Sequence, residues 1–279
     1  MSELFRRCAW RPANGRVAGS IGRVMAADDH VLARDLAEAA GWRLLELRAR
    51  GGDPDVLRKA GDRLSHEFLV AELAARRPHD AVLSEEGIDD KARLSADRVW
   101  IVDPLDGTRE FGEEGRSDWA VHVALWERDK DGLTAGAVAL PAQGEVLSTA
   151  NPPKEPEDEP QPPGTPLKLV VSRSRAPQLV YDVADRINAV LVPCGSAGAK
   201  VATVVTGQTD AYLHAGGFYE WDTAAPVAVA VKAGFHVSRI DGSDVTYNRD
   251  DPLLPDILVC RPAIAGLLLA AIREATHAI

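Results

Sequence analysis

The chain has 279 residues, 46% hydrophobic and 27% charged, which is enough to bury a core without disulfide or metal staples. Its three cysteines, Cys8, Cys194 and Cys260, stand far apart with no CxxC pair, which argues against a disulfide scaffold or a structural zinc site and fits a reducing cytoplasm. With 32 basic against 42 acidic residues, the net charge of −10 weighs against a nucleic-acid polymer as partner.

Residues 1–24 carry Arg6, Arg7, Arg11, Arg16 and Arg23 among small residues, without the apolar stretch of a secretory signal. They read as a disordered leader or as a start assigned too far upstream. No apolar run is long enough for a membrane helix. From Val31, the positions Leu32, Leu36, Ala39, Ala40, Leu44 and Leu47 recur at helical spacing until Gly51 and Gly52 close the segment. A second helix is expected over 65–75, with Phe68, Leu69 and Leu73 on one face. Residues 81–83 and 99–102 are strand-type runs that end in carboxylates. Alternation over 119–126 sets Trp119, Val121, Val123 and Leu125 against Ala120, His122 and Ala124, the pattern of a central strand. Strands at 135–140 and 145–148 form a hairpin or meander.

Residues 151–166 hold seven prolines and four acidic residues and no large apolar side chain, so they mark a linker. It separates an N-terminal half, 25–150, from a C-terminal half, 167–279. In the second half, strands at 167–172, 189–192, 211–214 and 257–260 alternate with helices at 177–187, 197–206, 223–233 and 262–276. The first half reads as α+β with antiparallel strands, the second more like α/β.

The strongest chemical signal is the string DPLDGT at 103–108. A strand ending in Asp, then Pro and Gly, projects Asp103 and Asp106 into a loop at a sheet edge. Gly107 and Thr108 then offer backbone N–H groups to an anion. Hard oxygen ligands beside a phosphate-sized hole suit Mg²⁺. Glu85 follows the 81–83 strand and Asp222 precedes the 223–233 helix. Alone, either would read as surface charge or a helix cap. Asp62 would be equally plain, and His122 reads as packed or hydrogen-bonded.

Together these segments resemble the lithium-sensitive, magnesium-dependent phosphatase superfamily that includes inositol monophosphatase and the bisphosphate nucleotidases. The resemblance runs from about residue 30 to 275, with DPLDGT and the later Trp221-Asp222 as its specific parts. It implies an α+β fold, the layered αβαβα sandwich of inositol monophosphatase and fructose-1,6-bisphosphatase. It also implies that Glu85, Asp103 and the carbonyl of Leu105 hold one Mg²⁺, and that Asp103, Asp106 and Asp222 hold a second. Asp62, with Glu85, would lie by a third, weaker metal and the attacking water, which Thr108 helps to orient. One position departs from the pattern: Phe68 stands where the family usually has an aspartate.

Charge arithmetic supports such a site: carboxylates about 4 Å apart repel by about 4 kcal/mol per pair at an effective dielectric of 20, unless cations lie between them. Substrate choice falls to the second half, where Ser172, Arg173 and Arg175 follow a strand and offer hydroxyl and guanidinium groups, and where Gly195, Ser196 and Lys200 open a helix whose N–H groups, with Lys200, are expected to meet a second phosphate. These stretches look like those that 3′(2′),5′-bisphosphate nucleotidases of the CysQ type use around their nucleotide, as do 213–217 and 239–242. The expected activity is removal of the 3′-phosphate of adenosine 3′,5′-bisphosphate in sulfate assimilation, by a cytoplasmic monomer or homodimer that binds no nucleic-acid polymer and no membrane. Two other readings stand beside it. One keeps the mechanism on inositol or fructose phosphates; the other is an inactive nucleotide-binding protein. A haloacid-dehalogenase phosphatase wants its aspartates two residues apart, and here they are three.

Overall fold

The computed structural model describes residues 28–154, 164–174 and 176–277. The expected leader, Arg175 and most of the proline-rich linker lie outside the described residues. Helix α1 (Asp29–Ala49) starts where the Asp28 carboxylate accepts from the His30 N–H at 3.0 Å, and it buries Leu32, Leu36, Ala40 and Leu44. Helix α2 (Pro54–Arg76) begins well before the expected 65. Its first turns lack a continuous apolar stripe, so periodicity misses them. The start signal is instead the cap: Asp53 accepts from the N–H groups of Asp55 and Val56, and Pro54 occupies the first turn. This correction moves Asp62 from an unassigned stretch onto a helix.

The first sheet runs in spatial order β1 (Ala81–Ser84), β2 (Arg98–Asp106), β3 (Ala120–Glu127), β4 (Gly132–Leu140) and β5 (Glu145–Ser148). Strands β1 and β2 are parallel and the remaining neighbours antiparallel. Asp103 and Asp106 are therefore not in a loop at a sheet edge. Strand β2 continues through both, past the end of its pairing with β1 and still paired with β3, with an irregularity in that pairing between them. That break is where Pro104, which lacks an N–H for the ladder, is accommodated.

Helix α3 (Thr108–Gly112) follows at once. The second sheet has the order β7 (Val190–Cys194), β6 (Lys168–Ser172), β8 (Ala211–Tyr219), β10 (Leu253–Cys260) and β9 (His236–Ser238). Strands β7, β6 and β8 are parallel, but β10 is antiparallel to both β8 and β9, so the second half is not purely α/β. Its helices are α4 (Gln178–Ile187), α5 (Ala197–Val205), α6 (Glu220–Lys232) and α7 (Pro262–His277).

Three buried cores order these elements into five layers. Leu36, Leu44, Leu69 and Leu73 pack on Val121, Val123 and Leu125, joining α1 and α2 to one face of the first sheet. Ala120 and Ala124, on its other face, share a core with Val201 and Val204 of α5, Val227 and Val229 of α6, and Tyr212 and Ile257 of the second sheet. Val180, Val183, Leu268 and Ile272 of α4 and α7 cover the far face through Leu169, Leu213 and Leu258. This is the expected αβαβα sandwich. Each fully buried Leu or Val contributes about 1.5–3 kcal/mol relative to exposure, so the middle layer couples the two halves firmly. No described helix is long and apolar enough to cross a membrane.

Candidate active site

Strand β2 delivers Asp103 and Asp106 to one end of the first sheet, and both are buried, at 1% and 7% exposure. Backbone N–H groups fix the carboxylates from three directions. Asp103 Oδ1 accepts from Leu105 N at 3.0 Å, Asp106 Oδ2 from Gly198 N at 2.7 Å, and Asp222 Oδ2 from Tyr219 N at 2.6 Å. Holding one oxygen of each aspartate determines where the other points. Asp222 is not the residue that precedes its helix: α6 begins at Glu220, so Asp222 lies in the first turn and ties back to the residue before it. Glu85 is placed by its own N–H, which bonds the Val102 carbonyl at 3.4 Å and so sits beside Asp103.

These groups raise one another's affinity for protons. Asp103 is held well above the usual carboxylate range, first by burial and then by the charges of Glu85, Asp106 and Asp222. Glu85 is pushed up to about 7 by burial, partly offset by its hydrogen bond to Asp103, and then by the charges of Asp222, Asp106 and Glu86. Burial and the charge of Asp106 carry Asp222 up to about 6. Asp106 moves the other way: burial would raise it, but the His122 imidazole, the Lys200 charge and the Gly198 N–H together lower it. Ligand atoms of Asp103, Asp106 and His122 lie within 4.8 Å of one another. Hard oxygens that disfavour each other's charge, with Asp103 and Asp106 buried, Asp222 part-buried and Glu85 exposed, fit Mg²⁺ by donor chemistry.

At the rim, the Thr108 hydroxyl lies 3.3 Å from Asp62 Oδ1 and 3.0 Å from the Leu105 carbonyl. Asp62 is half-buried, and burial with the charge of Glu86 pushes it up to about 6. The turn that aims Thr108 depends on Gly107 at φ +83°, a left-handed conformation; an added Cβ there would lie 2.9 Å from Ser196 Cβ. Phe68 is remote from this geometry. Its ring packs between α1 and α2 under the Arg43 guanidinium, 3.7 Å from the ring centroid.

Asp106 and Asp222 line a cavity of about 450 Å³, together with Thr108, Ser172, Arg173, Lys200 and Tyr212 among others; Glu85 and Asp103 lie outside that lining. A larger cavity, about 680 Å³, has Glu145, Lys154 and the Arg261–Asp210 pair (2.7 Å) as its charged lining, and none of the site carboxylates. Chemistry therefore belongs to the smaller one.

The expected phosphate cradle at 195–200 is corrected in detail. Gly195 N donates to Asp118 Oδ2 at 2.6 Å, Ser196 N to the Asp118 carbonyl at 3.0 Å, and Ala199 N to Ser196 Oγ at 2.9 Å, while Gly198 N holds Asp106. These donors already serve the protein. Lys200 is nearly buried and donates to the carbonyls of Gly195 and Ser196, two of its three N–H groups. Arg173 is exposed and pairs with Glu110 at 2.8 Å and Glu113 at 2.9 Å. Gly216, Gly217, His214 and Phe218 also line the cavity, on the part of β8 that runs beyond the expected 214. Residues 239–242 do not line it, and Arg239 pairs with Asp256 at 2.7 Å.

Asp118 and Glu110 carry structure around the site that sequence reasoning did not assign, whereas His122 is packed and hydrogen-bonded, as expected. Asp118 offers no sequence signal. The signal for His122 was available: one polar side chain on the Ala120–Ala124 face of a strand that is otherwise apolar.

A model of the inositol monophosphatase family matches residues 31–277. The chain belongs to the inositol monophosphatase family. Within that family it is 49% identical over 255 residues, 88% of this chain and 94% of the relative, to a 3′-phosphoadenosine 5′-phosphate phosphatase of Mycobacterium leprae. It is 29% identical over 237 residues, 78% of this chain and 94% of the relative, to the 3′(2′),5′-bisphosphate nucleotidase CysQ of Escherichia coli K12. The crystal structure of CysQ from Bacteroides thetaiotaomicron, an inositol monophosphatase family member, superposes with a TM-score of 0.72 at 28% identity, covering 84% of this chain and 97% of that one.

Proposed function

We propose that this chain is a Mg²⁺-dependent phosphatase that removes the 3′-phosphate of adenosine 3′,5′-bisphosphate. What supports the mechanism is that Asp103 and Asp106 are buried together and feel the charges of Glu85 and Asp222, with three aspartate oxygens tied to backbone N–H groups. Glu85, Asp103 and the Leu105 carbonyl would hold one ion, and Asp103, Asp106 and Asp222 another. When bound, the ions supply Lewis acidity at the phosphate and neutralise the leaving oxygen. The protein's own residues handle the proton. Thr108 gives its hydroxyl hydrogen to Asp62, which leaves the Thr108 oxygen able to accept from a water. Asp62, raised to about 6, is a base suited to neutral pH.

The substrate assignment is supported by the relatives' names and by the cations at the cavity wall. Lys200 keeps a third N–H beyond its two carbonyl contacts, and Arg173 can exchange a glutamate for a phosphate oxygen. A charged hydrogen bond contributes about 1.5–3 kcal/mol, so the second phosphate should favour the bisphosphate over inositol 1-phosphate by about ten- to a thousandfold in kcat/KM. Phosphate release from both compounds, with Mg²⁺ and with EDTA, is the test. Equal efficiency on the two would move the assignment to inositol phosphates, and activity undiminished by EDTA would remove the metals from it.

A further inference from the structure

His122 is fully buried in the middle of β3, directly opposite Asp103 in the pairing with β2. Its neighbours on that face, Ala120 and Ala124, belong to the apolar core shared with α5 and α6. Burying an imidazole there is costly unless polar partners offset it. Two partners are present, and both belong to segments that carry site carboxylates. Nδ1 lies 3.1 Å from the carbonyl of Trp221, the residue before Asp222. Nε2 makes no hydrogen bond of good geometry among the described residues, yet stands 3.2 Å from Asp106 Oδ2.

The surroundings leave no doubt about how the ring is held. A Cβ on Gly198 would fall 2.1 Å from Nε2, so the start of α5 rests on the imidazole only because that residue is glycine. The same Gly198 donates its N–H to Asp106 Oδ2 at 2.7 Å. Ring and amide thus converge on one oxygen of Asp106 and turn the other away from α5. At α6 the need for an outside anchor is plain: Pro226 cannot donate to the carbonyl four residues earlier, that of Asp222, so the first turn is loosened where Asp222 sits. His122 grips that turn at the adjacent carbonyl.

We infer that His122 is a positioning residue that fixes the mutual geometry of Asp106 and Asp222, and through it the affinity of the site for a divalent cation. This rests on the reading that both aspartates hold metal. Direct ligation is the weaker alternative, because Nε2 faces the oxygen that Gly198 already binds, and a nitrogen donor suits zinc better than Mg²⁺. Ring N–H groups that orient a metal-binding side chain typically change metal affinity about ten- to a hundredfold when removed.

The test is calorimetric titration of Mg²⁺ into EDTA-stripped, desalted wild-type protein and the variants His122→Leu, His122→Asn and His122→Gln. Absence of Mg²⁺ binding by the wild type would refute the metal reading itself. If the wild type binds, His122→Leu and His122→Asn should weaken Mg²⁺ about ten- to a hundredfold, with the metal-free melting temperature lowered by only a few degrees. His122→Gln, whose amide reaches the Nε2 position, should recover part of the affinity. At saturating Mg²⁺ the loss should fall on kcat and leave KM for the nucleotide unchanged. Wild-type-like Mg²⁺ affinity in both the Leu and Asn variants would overturn the inference while leaving the metal reading intact. If those variants do not fold, the wild type still decides. Its His122 ring ¹⁵N resonances should move with Mg²⁺ and saturate with the calorimetric affinity, and an unmoved resonance would overturn the inference.

Discussion

Asp103 has the most to lose by substitution, since its carboxylate is assigned to both ions and it is buried among three like charges. Asp103→Asn keeps the shape and the Leu105 N–H contact but removes shared charge. A loss in kcat of about a hundredfold or more is expected, comparable to removing a strong transition-state stabiliser. The metal-free melting temperature should change little, because the buried Asp103 carboxyl already favours its neutral form when no ion is bound. Single-turnover rates at saturating Mg²⁺ together with thermal melts check both halves, and a variant retaining more than a tenth of the rate would break the bridging role. Thr108→Val separates proton handling from metal binding. It removes the hydroxyl 3.3 Å from Asp62, so kcat should drop about a hundredfold while the Mg²⁺ dependence of the rate keeps its midpoint.

Between residue and fold, the joint from β2 to α3 sets where Thr108 points. Gly107 holds φ +83° with Ser196 of the α5 start packed against it. Gly107→Ala combines a disfavoured left-handed conformation with a close Cβ contact, an expected loss of about 2 kcal/mol. Urea unfolding of metal-free protein measures the loss, and an unchanged midpoint would mean that the turn relaxes freely. The elements legible beforehand were those whose burial follows a simple period. Strand β3 is one, since Val121, Val123 and Leu125 face α1 and α2 while Ala120 and Ala124 face the middle layer. The first half of α2 was not legible, because 54–64 carries little apolar periodicity and is held by its cap and by packing at Gly61 against Phe111 and Leu105. Three-residue β9 is too short for alternation to register.

Across the whole molecule, the halves meet through more than the apolar middle layer. Arg93, 1% exposed, bonds Asp89 from the first half, and Asn248 Oδ1 and the Arg249 carbonyl, each at 2.7 Å, from the second. The N–H groups of Asn248 and Arg249 in turn hold Glu220 at the head of α6. Arg93→Ala removes one partner of this buried network and should cost about 3 kcal/mol, read as a lower urea midpoint. The site also links stability to pH. Glu85, near 7, and Asp62 and Asp222, near 6, keep protons in the folded metal-free protein that the unfolded chain has already released. Their contribution is fully present below the unfolded value of about 4 and is lost as pH rises through about 6 to 7. Metal-free protein should therefore melt higher at about pH 6 than at about pH 8, a range in which Asp89, held near 2, stays ionised. Mg²⁺ reverses the order: at a hundred times its dissociation constant it adds about 2.7 kcal/mol, and its affinity rises as the carboxylates ionise. A metal-free melt that is flat across this window would contradict the raised values.

The chain's own pattern determined the helix and strand faces, the family resemblance and the identity of the carboxylates, because amphipathic period and the DPLDGT string are local properties. Tertiary structure alone decided which groups are free to act. Arg173 looked like an available cation until the fold set Glu110 and Glu113 against it. The N–H groups at 195–199 looked like an anion cradle until Asp118 and Asp106 folded onto them. His122 read as packed or hydrogen-bonded, and the closure of β3, α5 and α6 around its ring chose its partners. Such pairings join residues dozens of positions apart, and chain spacing carries no record of them, since only the closed five-layer sandwich brings their atoms within hydrogen-bond range.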